Sequence, residues 1–436
     1  MILQNVKGSS DFLPKEQILR NKIINTLSKN FECYGYLPVE TTTICYYDLL
    51  ASKYAGGSEI LKEVYTLKDQ GNRDLGLRYD LTVPFSKIIS MNLNKEITLP
   101  FRRYEIGKVY RDGPVKVGRD REFYQCDVDV CGITSILAET ELMTMTSTCY
   151  KELGIDITIE WNNRKLLSGL IIESGIEESL ASKVILSVDK LAKIGESGVK
   201  KELKDFNIDE TKLDKLFNFF KLNISDMKKE FSNTKNEILS EGLKEVEELD
   251  SNLKKLNLNE CVFTPYLARG LEIYTGTVWE VFDKEKRVTS SIGAGGRYDK
   301  IITNFINDGN TYPAVGMTFG LVPIYEILKQ INKEEEVLYD LYVIPMDTEI
   351  DCLKFANILR QKGIKVIIEY NKKKVSKAFN WAGRNNIPHV VVIGEDELKT
   401  GKLMIRDMKN SKDETFNIEK IDEIVNYLRW KNYFMK

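Results

Sequence analysis

Residues 102–121, RRYEIGKVYRDGPVKVGRDR, set seven Lys and Arg side chains against three acidic ones, in a chain whose formal net charge is −2. The middle, DGPVKVG, is a Gly- and Pro-marked turn between two strand-like runs, so the pattern predicts a hairpin with a cationic loop and cationic walls. Guanidinium groups grip phosphate oxygens in a bidentate fork, which suits this hairpin to a phosphate-bearing ligand; a solvated charged hairpin reads the same on charge alone. The next segment, REFYQCDVDVCG, carries Gln125, Asp127 and Asp129 at alternating positions, and a strand puts such residues on one face. That face suits an ammonium or imidazole group beside the phosphate, although an edge strand with a polar outer side would look similar. LGLRYDLTVPF offers a second such face with Arg78, Asp80 and Thr82. LARGLEIYTGTVWEVF clusters Arg269, Gly270, Glu272, Tyr274, Thr275 and Gly276, and GAGGRYD at 293–299 supplies backbone that another group can approach closely. The glycines fit neither the P-loop nor the Rossmann spacing.

Other chemistries are excluded by count. His389 is the single histidine, so a Ser-His-Asp triad, an HExxH site or a multi-histidine metal centre has no residues to build it. His389 follows Pro388 and opens the run VVVIG, the setting of a plain strand-start histidine. Catalysis is left to Arg, Asp, Glu, Gln and Tyr, with or without a bound metal ion. Seven cysteines, an odd number without a CxxC pair, suit free thiols in a reducing compartment. No uncharged run of about 18 residues and no signal-like N-terminus occur, so the expectation is a cytoplasmic protein with no membrane span. The near-neutral charge means that a nucleic-acid partner would need a local basic patch.

These residues need scaffolds. Ile18, Leu19, Ile23, Ile24, Leu27 and Phe31 predict an amphipathic helix over 16–34. From about 63 to 131 the runs EVYTL, LGLRYDL, FRRYEIGKVYR and REFYQCDVDVCG read as strands. Residues 165–258 are rich in Lys, Glu and Leu at helical spacing and predict an inserted helical module without a basic stripe. Strand texture returns over 262–298. INKEEEV at 331–337 reads as a linker, followed by alternating strands and helices that predict a small α/β domain with a largely parallel sheet. Within it Lys372, Lys373 and Lys374 form either a solvated loop or an RNA backbone contact.

Taken together, KGSSDFLP (7–14), LRYDLTVPF (77–85), KVYRDGPVKVGRDREFYQCDVD (108–129), RGLEIYTGTVWE (269–280) and AGGRYD (294–299) resemble, in order and over most of the chain, the histidyl-tRNA synthetase family of class II aminoacyl-tRNA synthetases. RGLEIYTG is similar to that family's histidine loop, RGLDYYTG. The resemblance implies an α+β chain, with a class II antiparallel-sheet catalytic domain at 1–164 and 259–330, a helical insertion at 165–258 and an anticodon-binding α/β domain at 338–436. It implies ATP-dependent activation of L-histidine to histidyl-adenylate and transfer to tRNA-His, Mg²⁺ with ATP and a homodimer built on the first motif, and it implies no protein-ligated zinc. Residue by residue, Arg111 matches the second-motif arginine on the α-phosphate, Phe123 the aromatic on which adenine stacks, and Arg119 and Arg121 the loop return that faces phosphates. Asp80, Thr82 and Gln125 match groups that hold the α-ammonium. Asp129 and Tyr274 match the readers of the imidazole nitrogens. Arg269 matches the arginine that contacts the carboxylate and the α-phosphate.

The chain departs from the family pattern at named positions. Thr42 stands where the first motif has a proline, and Glu272 and Ile273 stand where the histidine loop has Asp and Tyr. PAVGMTFGLVPI (313–324) keeps the third motif's Gly316, Gly320 and Leu321, with Val322 and Pro323 in place of its glutamate and arginine. That arginine covers the second face of adenine in the family, and its absence leaves a second function class open: a catalytically impaired paralogue acting as regulator or interaction protein.

Overall fold

The computed structural model describes residues 2–52, 59–115, 120–269, 273–331 and 337–434. The chain divides into two compact units, Met1–Ile331 and Asn332–Lys436. The strands of the first are β1 (Leu37–Pro38), β2 (Ile44–Tyr46), β3 (Thr66–Lys68), β4 (Asp74–Leu77), β5 (Phe101–Tyr110), β6 (Glu122–Cys131), β7 (Ile157–Asn163), β8 (Cys261–Phe263), β9 (Thr277–Asp283), β10 (Gly293–Arg297) and β11 (Ala314–Gly320). Eight of them form one sheet in the order β1-β5-β6-β11-β10-β9-β7-β8. Its interior pairs from β5 to β7 are antiparallel, and β2, β4 and β3 form a small second sheet.

Period-two sequence builds this sheet. On β6, Cys126, Val128 and Val130 are buried in the main core, while Gln125, Asp127 and Asp129 turn to the opposite face. On β11, Val315, Met317 and Phe319 join the same core, and Gly316, Thr318 and Gly320 face the other way. The helices α1 (Pro14–Cys33), α2 (Tyr47–Ser52), α3 (Thr82–Asn92), α4 (Leu137–Glu152), α5 (Arg164–Glu173), α6 (Ala181–Val188), α7 (Leu191–Lys204), α8 (Glu210–Phe219), α9 (Ile224–Glu230), α10 (Glu237–Lys255), α11 (Lys300–Ile306) and α12 (Leu321–Ile331) complete the unit. Residues of α1, α4 and α12 close one side of the sheet, and that core continues into α5–α10. A smaller cluster of Phe85, Ile89, Tyr298, Ile301 and Ile302 ties α3 and α11 to the polar side.

Two local expectations change. The run LGLRYDL is not a continuous strand: β4 ends at Leu77, and Asp80 Oδ1 accepts the Val83 N–H at 3.0 Å as α3 begins. Pro84, in the first turn of α3, is compatible with a helix there because the first-turn amides lack intrahelical acceptors. Arg78, Asp80 and Thr82 therefore do not share a strand face. The second unit contains β12 (Leu341–Pro345), β13 (Val366–Ile368), β14 (His389–Ile393), β15 (Lys402–Asp407) and β16 (Lys412–Asn417) in the order β13-β12-β14-β15-β16. Its first three strands are parallel, and β15 and β16 pair antiparallel, so the sheet is more mixed than the sequence pattern indicates. His389 is fully buried at the start of β14, its Nδ1 3.1 Å from the Asp340 carbonyl. Lys372 and Lys373 pair with Glu349 and Glu369 at 3.1 and 2.8 Å.

Candidate active site

The polar faces of β6, β11 and β10 open into two adjoining cavities. The first, about 280 Å³, is lined by Asp80, Thr82, Gln125, Asp127, Asp129, Tyr274, Tyr298 and Gly316, among others. The second, about 230 Å³, is lined by Phe123, Tyr124, Ile292, Gly293, Val322 and Pro323, among others. Arg111, Gln125, Arg269, Ala294 and Thr318 line both. Most sequence-derived candidates thus meet in one place although their segments lie far apart in the chain. Arg119 falls outside the described residues. Arg121 lines neither cavity: its Nε donates to the Gly113 carbonyl at 3.1 Å and its Nη2 lies 3.4 Å from Asp112, which fixes it at the return of the hairpin loop.

The walls of that hairpin differ from the sequence picture. Arg102 pairs with Glu141, Lys108 with Glu122, and Arg103 is fully buried. Of the hairpin's described cations, Arg111 is the one that lines the cavities. Its guanidinium lies 4.3 Å from the Tyr79 ring centroid and 5.0 Å from that of Phe123, and its Nε donates to the Tyr79 carbonyl at 3.3 Å. Arg269 is oriented by an ion pair with Glu280.

A buried row of charge underlies the first cavity. Arg78 Nη1 lies 2.8 Å from Glu105 Oε1, Arg103 Nη1 lies 3.7 Å from Glu105 Oε2, and Arg103 Nη2 lies 2.8 Å from Asp129 Oδ2. The Thr41 hydroxyl and amide donate to Glu105 as well. The Arg78–Glu105 and Arg103–Asp129 contacts are short, buried and charge-assisted, while Nε and Nη1 of Arg103 are buried without a hydrogen-bond partner. Tyr298 donates its hydroxyl to Asp129 Oδ1 at 2.5 Å. Burial, and then the Asp129 charge, push the Tyr298 phenol well above its ordinary range, so it stays a donor. Asp129 is thereby fixed between Tyr298 and Arg103, its carboxyl group aligned in the cavity to accept an N–H. Burial raises the Tyr274 phenol too, with Arg269 opposing. Gly316 is required here, because a Cβ at that position would lie 1.8 Å from Asp129 Oδ1.

The second cavity has an aromatic and an apolar wall. Phe123 comes from β6, and Val322 and Pro323 from the first turn of α12. Gly320 allows the proline ring to seat, since a Cβ there would lie 2.7 Å from Pro323 Cγ. Sequence reasoning found Phe123 and noticed Pro323, and the structure brings them to one cavity. It gave no site role to Arg103, Glu105, Thr318 or Tyr298. Arg103 and Glu105 sat inside a run read as cationic surface, and Tyr298 inside AGGRYD, whose glycines drew attention first.

Comparison with known proteins agrees with this geometry. The family model described as histidyl-tRNA synthetase matches residues 8–324, and that described as anticodon binding domain matches residues 340–429. A protein named histidine–tRNA ligase 1 from Bacillus cereus is 49% identical over 415 residues, covering 94% of this chain and 96% of the relative. Histidine–tRNA ligase 2 of Shouchella clausii is 44% identical over 410 residues, covering 93% and 96%. The crystal structure of histidyl-tRNA synthetase from Nostoc sp. PCC 7120 superimposes with a TM-score of 0.86 at 29% identity, covering 97% of this chain and 99% of that one. With two cavities joined at paired arginines, the class II antiparallel sheet beneath them and an anticodon-binding unit following, the chain belongs to the histidyl-tRNA synthetase family.

Proposed function

We propose that the protein is an active histidine–tRNA ligase, which condenses L-histidine with ATP to histidyl-adenylate and passes the histidyl group to tRNA-His. The observation that carries this reading is that Arg111 and Arg269 line both cavities. With histidine in the first and the nucleotide in the second, the carboxylate and the α-phosphate meet between two guanidinium groups. Attack of a carboxylate oxygen on the α-phosphorus, with departure of pyrophosphate, moves no proton. It requires alignment of the two substrates and neutralisation of charge growing on phosphorus, which two arginines supply without any histidine side chain.

In this reading Asp129 accepts from one imidazole nitrogen and Tyr274 meets the other. Asp80, Thr82 and Gln125 receive the α-ammonium, and adenine lies between Phe123 and the Val322–Pro323 edge. Arg119 and Arg121 serve the phosphates from the loop. A site built on hydrogen bonds to ring nitrogens rejects apolar rivals strongly, because they leave buried polar groups unpaired. Membership of the histidyl-tRNA synthetase family supports assigning Mg²⁺ to the substrate MgATP. No described helix is long and apolar enough to cross a membrane. A homodimer through α1 and β1, a helical insertion spanning 165–258 and a cytoplasmic setting complete the proposal. Relatives at 44–49% identity named as ligases, together with arginines poised at both cavities, support activity over the impaired-paralogue reading. The test is pyrophosphate exchange: purified protein should show histidine-dependent exchange with MgATP, and its absence would return the paralogue reading.

A further inference from the structure

In the buried row below the first cavity, the two guanidinium groups of Arg78 and Arg103 balance the two carboxylates of Glu105 and Asp129. Asp127 stands outside that balance. It is 5% exposed, and its Oδ1 is buried with no hydrogen-bond partner. Among the described residues no cation stands within ion-pair distance of it. The groups that face it are Glu105 and Arg103 from β5, Asp129 from β6, the Thr318 hydroxyl from β11, Asp80 from the turn before α3 and Tyr274 from the segment before β9. Carboxylates outnumber cations there. Gln125 Oε1 and Thr318 Oγ1 are likewise buried without a partner, and all three residues line the cavity. Asp127 is opposite Thr318 in the sheet and two residues from Gln125. Buried polar atoms without partners are rare in folded proteins, and a cluster of them, rich in acceptors, is a seat for a donor-rich cation.

The position in the strand says which cation. Gln125 and Thr318, the latter paired with Asp127, line both cavities, whereas Asp127, Asp129 and Gly316 line the first alone. Asp127 adjoins the shared end, and Asp129 lies one pleat repeat deeper, about 7 Å along the strand. The ammonium of an α-amino acid is borne on the carbon next to the reacting carboxylate, so it belongs at the shared end while the ring reaches toward Asp129. We propose that Asp127 is a further substrate-binding residue, whose carboxylate accepts an N–H of the amino acid's α-ammonium alongside Gln125. The inference rests on the assignment of this cavity to histidine. Burial, and then the like charge of Asp129, push the Asp127 carboxyl up to about 7. Seating the ammonium therefore converts a partly protonated carboxyl to carboxylate and releases the proton to solvent.

Calorimetric titration of the full-length protein tests this with three probes: histidine, histidinol, which lacks the carboxylate, and imidazolepropionate, which lacks the ammonium. Asp127→Asn should weaken histidine and histidinol by about tenfold to a hundredfold, as for loss of a hydrogen bond to a charged group, and leave imidazolepropionate within about twofold. Asp127→Ala, measured in parallel, removes the amide oxygen that Asn keeps and should weaken the first two probes at least as much. Proton release on histidine binding at about pH 7, read from buffers of different ionisation enthalpy, should disappear in both variants. Equal weakening of all three probes would assign Asp127 to the ring and overturn the proposal, as would unchanged histidinol binding in folded variants. A parent protein that binds none of the probes would instead overturn the histidine assignment of the cavity, and the proposal with it.

Discussion

Gly316→Ala tests the architecture of the site through one methyl group. In a strand interior this change ordinarily stabilises by about 0.5–1 kcal/mol. Here the new Cβ would lie 1.8 Å from Asp129 Oδ1, 2.6 Å from its Cγ and 3.3 Å from Tyr298 Cε1, where contacts below 3.0 Å do not persist. Asp129 must withdraw, which breaks the hydroxyl bond from Tyr298 and pulls the carboxylate off the line set by Arg103. Loss of a charged hydrogen bond costs about 1.5–3 kcal/mol, and an off-rotamer side chain about 0.5–1.5 kcal/mol. The variant should be destabilised by about 2–4.5 kcal/mol, with the sign opposite to the generic expectation. Denaturant unfolding measures this, and histidine-dependent pyrophosphate exchange should show a histidine KM raised by at least about tenfold. The double variant with Asp129→Ala isolates the cause. With both carboxylate oxygens gone, Gly316→Ala should add no more than about 0.5 kcal/mol to the cost of Asp129→Ala alone. Wild-type stability and KM in the single variant, or full additivity in the double, would refute the reasoning.

Arg269→Ala should abolish most exchange activity while keeping a cooperative unfolding transition, since the residue lines both cavities and its partner Glu280 is partly exposed; full activity would remove its assigned role. Pro323→Arg puts a cation at the edge of the Phe123 cavity, and a cation–π gain of about 0.5–2 kcal/mol predicts an ATP KM lowered by about 2- to 30-fold, read from steady-state exchange. For Asp127 the carboxyl rises on folding from 3.8 to about 7. The folded state then binds more protons than the unfolded one within that window, so the group's contribution falls as pH rises through it. The stability difference between parent and Asp127→Asn, measured by denaturation without ligand, should shrink or reverse on going from about pH 4 to about pH 8.

Much of this was legible in the chain because strands announce themselves by alternation. QCDVDVC shows which residues of β6 enter the core and which enter the site, and AVGMTFG does the same for β11. What stayed hidden was pairing between segments. Arg103 is an arginine in a cationic run until β5 and β6 set it opposite Asp129, after which it is a buried counter-ion. LRYDLTVPF reads as a strand because Leu, Tyr and Val alternate with polar residues. The capping bond from Asp80 to Val83 starts a helix instead. Arg121 matches the loop return of the family's second motif, and the structure shows it at that return, bonded to the Gly113 carbonyl and outside the lining of either cavity.

The chain's single histidine has a spectroscopic consequence. His389 is buried in the second unit beside Tyr427, and the first unit contains no imidazole of its own. Proton and nitrogen resonances of a bound histidine ring would therefore stand against one protein imidazole rather than a crowded set. The tautomer and charge of the substrate at Asp129 could be followed directly in the native sequence, with no need to substitute background residues.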